Sequence, residues 1–217
     1  MDQDRPAAAS PARTVFLVGI PLLWIVVVLV HPQGDGDVYD SLDDKVGLWL
    51  GVHFAQPVLS LGVAVVLWIL LAGRTSTAAT VARVAIPVWL VSFAVFDSVT
   101  GIASGLAVHH ANGLEGAEQR GAASTAGYLV ENRITADFSP VWFIQAAALL
   151  TAVIATALVL RAAGASRAVF VAMLIGGLLV FHAGPIAAVG LVALAVAFVL
   201  ADREGLMANS HNLLPAA

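Results

Sequence analysis

Residues 168–201 read AVFVAMLIGGLLVFHAGPIAAVGLVALAVAFVLA, 34 residues without a charged side chain. As one straight helix the stretch would run about 50 Å, well past the roughly 30 Å hydrocarbon core of a bilayer. Ala183-Gly184-Pro185 stands in its middle, and Gly followed by Pro is the strongest local helix breaker. The stretch therefore reads as two short helices, about 168–182 and 186–201, joined by a Gly-Pro turn. Two helices of about 15 residues reach only about 22 Å, so the turn is expected below the outer membrane surface. Non-helical backbone at that depth has to be buried in protein or line a wet cavity.

Working outward, four further apolar windows are long enough to cross a membrane: Val15 to Val30, Val46 to Ala72, Val84 to Val108 with the single charge Asp97 inside it, and Phe138 to Leu160. The expected architecture is an all-α integral membrane bundle of six transmembrane helices. Residues 15–201 form the membrane domain, with outer loops at about 31–45 and 109–137, and residues 1–14 and 202–217 are cytoplasmic tails. The first window is kept as a span and not a cleaved leader. Its flank is mixed in charge, and His31-Pro32-Gln33-Gly34 offers no small-x-small cleavage site.

Composition agrees. The chain is 60% hydrophobic and 11% charged with mean hydropathy +0.93, which excludes disorder and a basic nucleic-acid-binding surface. With no cysteine, disulfide frameworks, thiol chemistry and Cys-held metals are excluded as well. One Lys against nine Arg points to a GC-rich genome. Arg5, Arg13, Arg74, Arg83, Arg161, Arg167 and Arg203 fall on one side of the six-span layout, and Lys45, Arg120 and Arg133 on the other. Seven against three puts both termini in the cytoplasm of a bacterial plasma membrane. Asp35, Asp37, Asp40, Asp43, Asp44, Glu115, Glu118, Glu131 and Asp137 make the opposite face acidic. Within the second outer loop, residues 118–131 read as a short helix on the membrane surface, either a lid or a plain connector.

Polar residues inside spans are expensive and face the bundle interior. Counted from the cytoplasmic ends of their helices, Asp97 lies about 21 Å up, His182 about 22 Å, Gln145 and Gln56 about 24 Å, His31 about 27 Å and His53 about 28 Å. All six fall in the outer half. On the second span Trp49, His53, Gln56 and Ser60 share a face; on the third, Asp97, Thr100, Gly101 and Ser104 do, with Gly101 and Gly105 set for close helix approach. The two stripes are expected to converge on an outward-facing pocket.

Three imidazoles and a carboxylate, His31, His53, His182 and Asp97, are ligand types for zinc or another divalent metal. His109 and His110 are candidates for a gate or for extra ligands. Gln56, Ser60, Thr100, Ser104 and Gln145 would line the pocket. A metal-activated water there would suit hydrolysis of a lipid-like or small substrate. Against a metal, the ligands come from four helices, with no His-x-x-x-His or His-Glu-x-x-His spacing. Haem b is an alternative cofactor, with two of the three histidines as axial ligands and Gly101, Gly105, Gly176 and Gly177 making room for the ring. Other readings are a small-molecule or cation binding or transport protein, and a cofactor-free accessory subunit whose polar layer glues helices together. Each histidine also has a plain structural role open to it: His31 as a helix end at the interface, His182 as a helix cap. The residues decide neither whether the chain is an enzyme nor whether it forms a homo-oligomer or joins a membrane complex.

His31-Pro32, Val52-His53, Ala82-Arg83-Val84-Ala85-Ile86-Pro87-Val88 and His110-Ala111-Asn112-Gly113-Leu114 resemble stretches of small uncharacterised six-span membrane proteins of GC-rich bacteria. The resemblance covers most of the chain and implies no activity.

Overall fold

In the computed structural model, residues 11–33, 36–180 and 184–207 are described, and these are all-helical. The helices are α1 (Pro11–Leu29), α2 (Val38–Leu42), α3 (Val46–Leu70), α4 (Thr77–Ala111), α5 (Gly116–Glu131), α6 (Pro140–Ala162), α7 (Arg167–Leu179) and α8 (Pro185–Arg203). Four of them, α3, α4, α6 and α8, are long and apolar enough to cross a membrane. The apolar stretch Arg13–Leu29 of α1 and the helix α7 are shorter, and α7 has only 13 residues, about 20 Å.

Local sequence sets the starts. Ser76, Ser139 and Ser166 are extended N-caps whose hydroxyls accept from the backbone N–H of Ala79, Trp142 and Val169. The Ser76 cap starts α4 at Thr77, seven residues before the window expected from charge alone. Arg83 consequently lies inside the helix and not in a loop. As expected, the charge-free run 168–201 breaks at its Gly-Pro. Gly184 adopts φ 101°, a backbone conformation that a side chain would strain, and Pro185 takes the first position of α8.

The six large helices close a ring in the order α1, α3, α4, α6, α7, α8 and back to α1, with α4 against α6 the most extensive contact. Lipid gives no hydrophobic drive between helices, so close packing does the work, and small residues allow it. Ala79, Ala82, Ala152, Ala157, Ala197 and Ala201 are all fully buried in the main core. Gly176 and Gly177 serve the same end. A Cβ on Gly176 would lie 2.5 Å from the Leu194 side chain, and one on Gly177 would lie 2.9 Å from Val153. The space assigned to a macrocycle at these glycines is filled by neighbouring helices.

One end of the ring gathers the starts of α1, α4 and α7 with the ends of α3, α6 and α8. There Arg13 pairs with Asp202. Arg83 donates to the carbonyls of Leu71 (2.6 Å) and Arg74 (2.7 Å), Arg74 to those of Leu70 and Leu206, and Arg161 to that of Ala165. The arginines thus satisfy carbonyls left over at helix ends. At the opposite end, α2 and α5 pack on α3 and the last turn of α4 through Val38, Leu42, Trp49, Val108 and Ala126. Gln119 donates to the Tyr39 hydroxyl and Asn112 to the Asp43 carbonyl, tying α2 and the turn after it to α5 and the end of α4.

Candidate binding site

The site is built where α4 changes winding. Residues Asp97–Ala103 form a π-helical segment between two α-helical parts, and in this wider turn the regular i to i+4 bonds are lost. The backbone acceptors find side-chain partners. Thr100 donates its hydroxyl to the Phe96 carbonyl, Ser104 to those of Thr100 and Gly101, and the Trp49 indole N–H from α3 to Gly101 at 2.6 Å. The hydroxyls on this face of α4, read from sequence as pocket-lining groups, are therefore largely occupied in holding the π turn.

Close approach of α3 requires the glycines. A Cβ on Gly101 would stand 2.1 Å from His53 Nδ1, and one on Gly105 would stand 2.6 Å from Trp49. With both positions bare, His53 and Trp49 lie flat into α4. His53 Nδ1 then meets Asp97 Oδ1 at 2.7 Å, both side chains almost completely buried. A carboxylate can only accept, so a ring proton belongs on Nδ1, and in the neutral imidazole Nε2 then carries the lone pair. Nε2 is buried and has no hydrogen-bond partner among the described residues. Asp97 thus finds the partner that its burial demands, and it fixes the orientation of an imidazole whose other nitrogen is available as an acceptor.

His31 closes the cluster from the end of α1. Its ring stands edge-on to His53 with centroids 4.9 Å apart and to Trp49 at 5.2 Å, while its Nδ1 lies 2.6 Å from the Pro32 carbonyl oxygen. His31 is buried here, where a helix end at the interface would leave it wet. Rings this close leave no slot for a porphyrin between His31 and His53.

Two chambers flank the cluster. One, about 60 Å³, is lined by Trp49, His53, Phe96 and Thr100 and reaches Val130 and Asp137 of the outer segment. The exposed Asp137 forms its rim. Next to it Phe138 holds φ 60°, unusual for a bulky side chain, and its ring packs on Trp142. The other chamber, about 20 Å³ and on the scale of one water molecule, lies between Gln56 and Gln145 and is walled by Trp24, Val28, Trp89, Phe93, Leu149 and Val180. Gln145 Oε1 is buried there without a hydrogen-bond partner among the described residues.

Of the residues singled out in sequence, His31, His53, Asp97, Thr100 and Ser104 come together. Gln56 and Gln145 meet each other in the second chamber. Ser60 is buried and donates to the Pro57 carbonyl, lining neither chamber. His109 and His110 are exposed in the last turn of α4, also away from both. His182 lies outside the described residues. Among those described, no three His, Asp or Glu side chains are arranged to hold a metal ion. Trp49 was visible on the stripe of α3, but its role as a donor to the π turn was not. Asp137 was legible only as one more loop acid, and the walls contributed by Trp24, Trp89 and Phe93 carried no sequence signal beyond helical burial. No family model, no curated protein and no solved structure matches this chain.

Proposed function

We propose that the chain is a six-span membrane protein of the bacterial plasma membrane, with its arginine-rich end cytoplasmic, that binds a small ligand from outside through His53. The observation that carries this reading is the buried His53–Asp97 pair: Nε2 of the oriented imidazole has no partner among the described residues, and His53 lines a chamber that reaches the outer segment. Strongly oriented, desolvated His–Asp pairs in clefts are characteristic of functional sites. The route does not continue inward. Beyond the glutamine chamber the ring is filled by Val63, Leu67, Leu70, Ile86, Leu160 and Leu194, all buried, which favours binding over passage across the membrane.

A divalent metal is the second reading, favoured by the nearness of the His31 and His53 rings. It would draw on the two imidazoles of His31 and His53, with Asp97 orienting His53 and His182 the remaining sequence candidate.

Two measurements test the proposal. Because the chain has no cysteine, single Ser124→Cys and Ser76→Cys variants report sidedness directly. A membrane-impermeant maleimide should label the first and not the second in intact cells; the reverse pattern inverts the topology. Elemental analysis and mass spectrometry of the purified protein should find a metal or small molecule that is lost in His53→Ala. Retention of the same bound species in that variant would remove His53 from the site.

A further inference from the structure

We infer that the ligand of the His53 chamber is a small ammonium cation, inorganic or primary alkyl; this rests on the binding reading above and gives it a chemical class. The argument is an inventory of what the chamber wall has left to offer. Trp49 gives its indole proton to Gly101, Thr100 gives its hydroxyl proton to Phe96, and His53 gives its Nδ1 proton to Asp97. Each of these side-chain donors of the wall is committed inside the protein. The side-chain groups that remain are acceptors: the lone pairs of Thr100, the carboxylate of Asp137 and the buried Nε2 of a neutral His53. An anion would find no free side-chain donor among the described lining residues. A ligand with several N–H groups would find only acceptors.

Charge and shape point the same way. Among the described residues no Lys or Arg lines the chamber, while Asp137 stands at its rim and Asp97 lies behind His53. Trp49 and Phe96 supply aromatic surface, the wall that suits an ammonium by cation–π attraction. At about 60 Å³ the space takes a few heavy atoms and no more. The surrounding outer segments carry Asp37, Asp40, Asp43, Asp44, Glu115, Glu118 and Glu131 against Lys45, Arg120 and Arg133, a field that concentrates cations at the mouth. A divalent metal would want three or four firm ligands, and the chamber offers a single imidazole nitrogen and one exposed carboxylate.

The test is calorimetric titration of the full-length protein in lipid nanodiscs with methylammonium, zinc and acetate at constant ionic strength. Saturable methylammonium binding is expected. Asp137→Asn, at an exposed rim position that leaves the fold intact, should weaken it about fivefold, and His53→Phe by at least about tenfold. Glu118→Gln should change it less than about twofold. Binding of zinc or acetate in place of methylammonium, lost in His53→Phe, would overturn the ammonium assignment and leave the pocket standing. Methylammonium binding unmoved by both Asp137→Asn and His53→Phe would also overturn it. No heat from any of the three probes would overturn the assignment together with the pocket.

Discussion

The two ends of the helix ring solve the same problem in opposite ways. At the arginine end, leftover helix carbonyls are taken up by Arg74, Arg83 and Arg161, and the interior between helices is packed with alanine and leucine. At the histidine end, the backbone is rewound into a π turn, Phe138 sits in a left-handed conformation, and His53 and Gln145 keep buried polar atoms without a partner among the described residues. Strain and unpaired polar groups cost stability, and they persist where the surrounding structure over-determines them. Their concentration at one end, above a filled plug, supports placing the proposed binding site there.

The sharpest way to break this contrast is to put a methyl group into the helix contact that creates the site. Gly101→Ala would place a carbon within 2.1 Å of His53 Nδ1, so ring and helix must part. We expect a loss of about 3 kcal/mol in unfolding from detergent, at the upper end for overpacking, and loss of ligand binding. Gly51→Ala, on the same bundle but with nothing within 4 Å of its added carbon, should be neutral or slightly stabilising. Equal behaviour of the two variants would mean that the close approach of α3 and α4 is not required.

A smaller effect separates the carboxylate from its charge. Asp97→Ala leaves the His53 Nδ1–H buried without an acceptor and should cost about 1–3 kcal/mol. Asp97→Asn retains an oxygen and should cost less than half as much, while His109→Ala, exposed at the end of α4, should stay within about 0.5 kcal/mol. Asn as damaging as Ala would show that the charge itself, and not the hydrogen bond to His53, holds the site together.

Much of this architecture was written in the sequence. Charge-free length gave the apolar helices, and the Gly-Pro at 184–185 gave the break in the last window, because both follow from the cost of polar backbone in lipid. Helical spacing put His53 on one stripe and Asp97 on another, and depth counting set both in the outer half, about 7 Å apart, so their convergence was legible though their contact was not. The π turn was not. A change from four to five residues per hydrogen bond has no compositional signature, and the serine and threonine that support it look the same as pocket-lining hydroxyls. Nor could spacing show that Gln56, one turn from His53, opens into a different chamber, one walled by Trp24 of α1 and by Trp89 and Phe93, which share one face of α4. The start of α4 was misplaced because Arg83 was read as a loop charge, when its long side chain reaches back from within the helix to carbonyls at 71 and 74.

That arginine gives the next prediction in size. Arg83→Ala removes donors from two carbonyls at the end of α3 and the turn after it, where interfacial water stands ready to replace them. The cost should be about 1 kcal/mol, with ligand binding unchanged. A loss of binding with Arg83→Ala would connect the two ends and end the view that the plug is passive.

The smallest effect is expected where the cavity is closest to water in size. Gln145 and leucine are similar in volume, and Gln145 Oε1 has no hydrogen-bond partner among the described residues, so Gln145→Leu exchanges an unsatisfied amide for an apolar group in an aromatic-walled space. Stability should stay level or rise by less than about 1 kcal/mol. The same substitution should leave methylammonium affinity within about twofold, since Gln145 does not line the His53 chamber. A fall in stability above about 2 kcal/mol would mean that Gln145 is satisfied by an ordered water bridging to Gln56. A fall in affinity would mean that the two chambers act as one pocket, with Gln56 and His53 meeting a single larger ligand from successive turns of α3.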